Sequence, residues 1–148
     1  MLTLFLLLAA SVSDEALRAG LIALQRGDLS AAQANLEAAS RETPRDGRVW
    51  VALSQTYWRL HREADAEKAA DKAAALAPGN PAALQGLAIY YSETGRKLRE
   101  ARLSSKLPGD RSVREKAGEL YFAAARSLLD GQKFAEAAAV LEERRQTG

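Results

Sequence analysis

Apolar positions in this chain recur every three or four residues rather than every two. Along 47–60, Trp50, Leu53, Tyr57 and Leu60 fall on one stripe when the chain is wound at about 100° per residue. The whole chain reads as helices at about 14–26, 30–42, 47–60, 64–76, 81–94, 97–106, 111–130 and 133–145, with no strand. Gly27, Gly95 and Gly131 stand where a glycine closes the first helix of a pair, and His61 takes that place in the second unit. Pro44, Pro78 and Pro108 follow second helices, where a missing N–H and the restriction on the preceding residue stop propagation. Pro81, after Asn80, sits at a helix start.

The pattern repeats. Ala32 and Ala66 lie 34 residues apart, as do Ala39 and Ala73, and Pro44 and Pro78. Further on the period loosens, with Ala101 and Ala137 at intervals of 35 and 36 from their predecessors. Each unit is two helices and a turn, and small alanines allow the helices to approach closely. A single hairpin cannot bury its apolar face, so neighbours must stack.

These features resemble the tetratricopeptide repeat, whose 34-residue unit carries W-x₂-L-G-x₂-Y, then A-x₃-F, a later alanine and a proline. In 47–80, Trp50, Leu53, Tyr57, Ala66, Ala73 and Pro78 fall where that pattern asks. Residues 13–46 match through Gly20, Ala32, Leu36, Ala39 and Pro44, with Ala16 in the aromatic's place. The third unit, 81–110, keeps Leu84, Leu87, Ala88, Tyr91, Gly95 and Ala101, but its second helix is about one turn short. The fourth, 111–148, keeps Tyr121, Ala124, Ala125, Leu128, Ala137 and Leu141 without a terminal proline. The resemblance implies an all-α, right-handed α-solenoid of about four helix-turn-helix hairpins over 14–148. It also implies a non-catalytic scaffold that binds a protein or peptide segment along the concave face of the first helices.

Within that frame the two tryptophans separate. Trp50 shares its stripe with the packing positions and is expected in the core, whereas Trp58, about 80° round the helix, either faces the groove or packs against a neighbouring first helix. The same face carries Leu17, Leu21 and Leu24 in the first unit and Val51, Gln55 and Trp58 in the second. It continues with Gln85, Ile89 and Ser92 in the third, then Phe122, Arg126 and Leu129 in the fourth. Some family members clamp a partner's terminal carboxylate with Lys, Asn and Arg on this face. The matching places here hold Leu17, Leu21, Ala52, Ala82 and Gly86, so that clamp is absent. An apolar groove suits an extended or helical peptide with hydrophobic anchors. A lipid or small-ligand carrier would use the same groove.

Composition narrows the rest. The 148 residues are one domain's worth of chain, 47% apolar but only 6% aromatic, a balance that favours helices. Basic and acidic residues nearly cancel at +2, which gives no general argument for nucleic acid. Cysteine is absent, excluding disulfides, thiolate nucleophiles and cysteine metal sites. His61 is the only histidine and no convergent ligand set accompanies it, so neither a metal nor another cofactor is expected. No Gly-rich phosphate loop follows a strand, and Glu142 and Glu143 are neighbours on a helix rather than a facing pair. Residues 96–116 hold eight basic side chains against three acidic ones, but no aromatic interleaves them for base stacking. Finally, residues 1–13 are uncharged, and the first ten are apolar apart from Thr3. They are too short to span a bilayer and have the length of a signal-peptide core, although no Lys or Arg precedes it. The segment is expected to be either a leader, placing the protein in a bacterial envelope or outside the cell, or a packed N-terminal helix. In the second case the protein stays cytoplasmic, and the segment is able to drive homo-oligomer assembly.

Overall fold

A computed structural model describes the backbone of residues 2–106 and 111–147 and the side chains of 14–105 and 115–147. Among them lie eight α-helices and no strand: α1 (Leu2–Arg26), α2 (Leu29–Glu42), α3 (Gly47–Arg59), α4 (Glu63–Leu76), α5 (Pro81–Glu93), α6 (Lys97–Lys106), α7 (Arg111–Asp130) and α8 (Phe134–Thr147). The boundaries expected from periodicity hold to within a residue or two except at the start. There α1 runs unbroken from Leu2, across the division drawn at residue 13. The side chains of 1–13 lie outside the described residues.

Every hairpin turn closes in the same way. The N–H groups of Gly27 and Asp28 bond to the carbonyls of Leu24 and Ala23, an αL cap with two backbone bonds that satisfies the free carbonyls of the helix end. His61 and Arg62 repeat it on Trp58 and Tyr57, Gly95 and Arg96 on Ser92 and Tyr91, and Gln132 and Lys133 on Leu129 and Leu128. His61 holds φ of 59° in the glycine's place, as expected. In the fourth hairpin the left-handed residue is Gln132, also at 59°, and not Gly131. The caps put the repeat spacing at 34, 34 and then 37 residues, because α7 has 20 residues where α3 and α5 have 13, while α6 has 10 where α2 and α4 have 14. They also correct the alignment of the third hairpin. Counting four residues from the cap, Ala32, Ala66 and Ala137 are matched by Glu100 and not by Ala101; both are buried.

The chain divides into two compact units, Met1–Leu87 and Ala88–Gly148. In the first, α1 pairs with α2, α3 with α4, and α3 lies over α2. Leu17, Leu24, Leu36, Val49, Ala52 and Leu53 form one core with small alanines between them. Close approach explains Gly20: a Cβ there would stand 2.6 Å from Leu36 Cγ. Trp50 is not a core residue. It is half-buried at the edge, its indole N–H donating to the Pro44 carbonyl at 2.8 Å and the Lys72 ammonium lying 4.0 Å over its ring. Tyr57 donates to Glu37 at 2.9 Å, tying α3 to α2. In the second unit α7 packs on α6 and on α8 around Ala101, Tyr121, Ala124, Ala125 and Val140. Tyr121 donates to Glu143 at 3.1 Å, and Arg102 grips the same carboxylate with two bonds of 2.7 and 2.8 Å.

Candidate interaction surface

The face expected to line a groove does not behave alike in every hairpin. Leu17, Val51, Gln85 and Phe122 occupy one repeat position, yet Leu17 and Val51 are buried while Gln85 and Phe122 are exposed. The reason for Val51 is visible: its Cγ1 fills the place a Cβ would take on Gly86, 2.7 Å away. Leu17 lies in the same core as Ala52, and Leu24 is buried too, its carbonyl accepting from Arg59 Nη1 at 3.2 Å. Leu17, Leu24 and Val51 are therefore packing residues and not groove-lining ones. Leu21 and Gln85 are exposed, and Gln55 and Trp58 half-buried, in the first unit. Ile89, Phe122 and Arg126 are exposed in the second.

A concavity belongs to the second unit. Helix α7 buries Ala117, Tyr121, Ala124 and Ala125 and turns Glu119, Phe122, Ala123, Arg126, Ser127 and Asp130 outward, at helical spacing. With Lys97 from the first turn of α6 these enclose an open cavity of about 550 Å³. A second hollow of about 370 Å³ lies alongside, between Arg96, Leu98 and Arg99 and the Ala124–Leu128 stretch of α7. Phe122 is 53% exposed, unusual for so large an apolar ring. One side of it is supported by Arg144, whose guanidinium carbon stands 4.5 Å from the ring centre. Gly118 leaves room for Arg144, since a Cβ there would stand 3.2 Å from its Nη2. Arg144 Nε is buried without a hydrogen-bond partner, so the ring face compensates for part of what water would supply.

Electrostatically the groove is mixed. Lys97, Glu119, Arg126 and Asp130 all line it, and none is engaged in an ion pair among the described residues. By contrast, other basic residues of 96–116 are engaged elsewhere. Arg102 is bound by Glu143, Lys116 lies 3.6 Å from Glu100, and Arg96 stands 5.6 Å over the Tyr90 ring. The groove is thus less apolar than its register suggested. Lys97, Glu119, Ser127 and Asp130 lie off the single line of first-helix positions that the family pattern marks. Only the helical spacing from Phe122 would have pointed to Glu119 and Asp130.

Among the described residues no cluster of three or more His, Cys, Asp or Glu side chains is able to hold a metal ion. Nor is any helix among them long and apolar enough to cross a membrane. What remains is a set of stacked helical hairpins with surfaces fit for contact, the class known as helical repeat proteins. Residues 17–81 match the tetratricopeptide repeat family, so this stretch of the chain is similar to tetratricopeptide repeats. The matched stretch covers the first two hairpins and ends at the start of α5. No curated protein and no solved structure matches the chain. Repeats of this family generally mediate protein–protein interaction and typically act as non-catalytic scaffolds.

Proposed function

We propose that the protein binds a segment of another protein in the groove on α7, with Phe122 as the apolar anchor and Lys97 and Arg126 holding a carboxylate of the partner. The observation that carries this reading is Phe122 itself, half exposed and propped by Arg144 in a cavity lined by unengaged charges. Aromatic side chains, phenylalanine among them, are enriched at the cores of protein–protein interfaces. The mixed lining favours a peptide over a lipid, whose acyl chain would leave four charged groups without water or partner.

A phage-displayed library of random dodecapeptides, panned on the whole chain, tests it. The selected peptides should carry an acidic residue within a few positions of a large apolar one. Phe122→Ser should weaken their binding by about tenfold or more, the loss typical of a central aromatic, with helicity unchanged. Arg126→Glu should do the same, and Ile22→Ser should leave binding intact. Selection of peptides indifferent to both groove substitutions would overturn the proposal.

A further inference from the structure

The second hollow beside α7 differs from the first in the sign of its walls. Arg96, Lys97 and Arg99 line it, from the turn before α6 and the first turn of that helix, and no carboxylate stands among its described lining residues. In the first hollow Lys97 and Arg126 are balanced by Glu119 and Asp130. The two are neighbours, since Lys97 and Ser127 line both. An occupant anchored on Phe122 therefore meets a mixed field on one side of that shared edge and a positive one on the other.

These cations also give a use to part of the basic run in 96–116. Arg102 and Lys116 of that run face Glu143 and Glu100. Arg96, Lys97 and Arg99 instead converge on one hollow of about 370 Å³. Arg96 lies over the Tyr90 ring, a contact that brings no opposite charge to its guanidinium. The base of the hollow is apolar: Ala124 is buried, and Leu98 and Leu128 pack against the core of the unit. Such a base displaces part of the water, and like charges around a recess reinforce one another's potential. Ser127 adds a hydroxyl able to donate a hydrogen bond. An apolar base, cationic walls and a hydroxyl suit a side chain with a carbon stem and an anionic tip.

We infer that the partner segment carries a second anionic side chain, a carboxylate or a phosphorylated hydroxyl, which enters the hollow between α6 and α7. Arg96 and Arg99 hold it, with Lys97 shared between the two anions. The inference rests on the proposed seating of that segment on Phe122. It makes the recognised sequence doubly acidic around a large apolar residue, and it makes affinity fall as salt is added.

The dodecapeptides selected on the whole chain are the probe. Each acidic residue of a selected peptide is replaced in turn by asparagine or glutamine. Binding is then measured by calorimetry on wild type, on Arg99→Gln and on the Arg96→Gln/Arg99→Gln double variant. One replacement should cost about fivefold on wild type, the upper range for an exposed ion pair, and nothing on the double variant. Arg99→Gln alone, which leaves Arg96 over Tyr90, should lose part of that dependence and guards against a double variant that unfolds. Phosphoserine at the same peptide position should bind more tightly than the carboxylate if the hollow takes a phosphoryl group, and no more tightly if it takes a carboxylate. Peptides that need Phe122 but whose acids all act independently of Arg96 and Arg99 would overturn this inference and leave the groove reading standing. Selection of no peptide, or of peptides indifferent to Phe122, would remove that reading and this inference with it.

Discussion

Tyr57 shows how much a single side chain is asked to hold. Its phenol donates to Glu37, which also accepts from Gln33 at 2.8 Å, and Arg62 lies 4.7 Å over its ring. Burial, then the neighbouring Glu37 carboxylate, pushes the phenol up to about 12. A tyrosine whose folded pKa lies above its unfolded value near 10 adds stability that is complete below pH 10. That stability is lost as pH rises through about 12. After solvent screening it is on the order of 1 kcal/mol. Denaturant titrations at stepped alkaline pH, compared with Tyr57→Phe, should show the wild type losing more stability between pH 10 and 12; parallel curves would contradict this. The position was legible in the sequence as a packing aromatic. Its bond to Glu37 was not, because nothing local says which residue of the preceding hairpin comes opposite.

At the scale of elements, helix boundaries were the most legible part. Turn residues and prolines mark them, and both act through backbone conformation that neighbours scarcely alter. Contacts between hairpins were less so. Val51 looked like groove because its register is a groove position, yet α5 comes close enough at Gly86 to bury it. Exchange of the glycine for alanine should therefore crowd Val51 and destabilise the protein by about 1–3 kcal/mol. Adding Val51→Ala should recover part of that loss, and thermal unfolding of the single and double variants checks the coupling. The longer α7 and shorter α6 were visible only as a loosened period, and the identity of Gln132 as the turn residue waited on the backbone.

For the molecule as a whole, fold class and family resemblance were legible because the repeat itself is the information. Of the proposed site, the sequence pointed to Phe122 and Arg126, which line the α7 cavity, while Lys97 reaches it only through the packing of α6 on α7. Residues 1–13 we propose to be an export leader, on the strength of their uncharged apolar run. Expression in a bacterial host should then yield protein in the periplasm beginning near Asp14, read by N-terminal sequencing. Recovery with Met1 intact would dispose of the idea.

The position shared by Leu17, Val51, Gln85 and Phe122 has a consequence for anyone who would engineer this protein. It passes from interior to solvent along the chain while its register stays fixed. A consensus averaged over the four hairpins would install an aliphatic residue at every copy. It would improve packing where packing is already satisfied and erase the aromatic where the surface is most individual. Idealising the repeats should therefore yield a sturdier protein with nothing left to recognise.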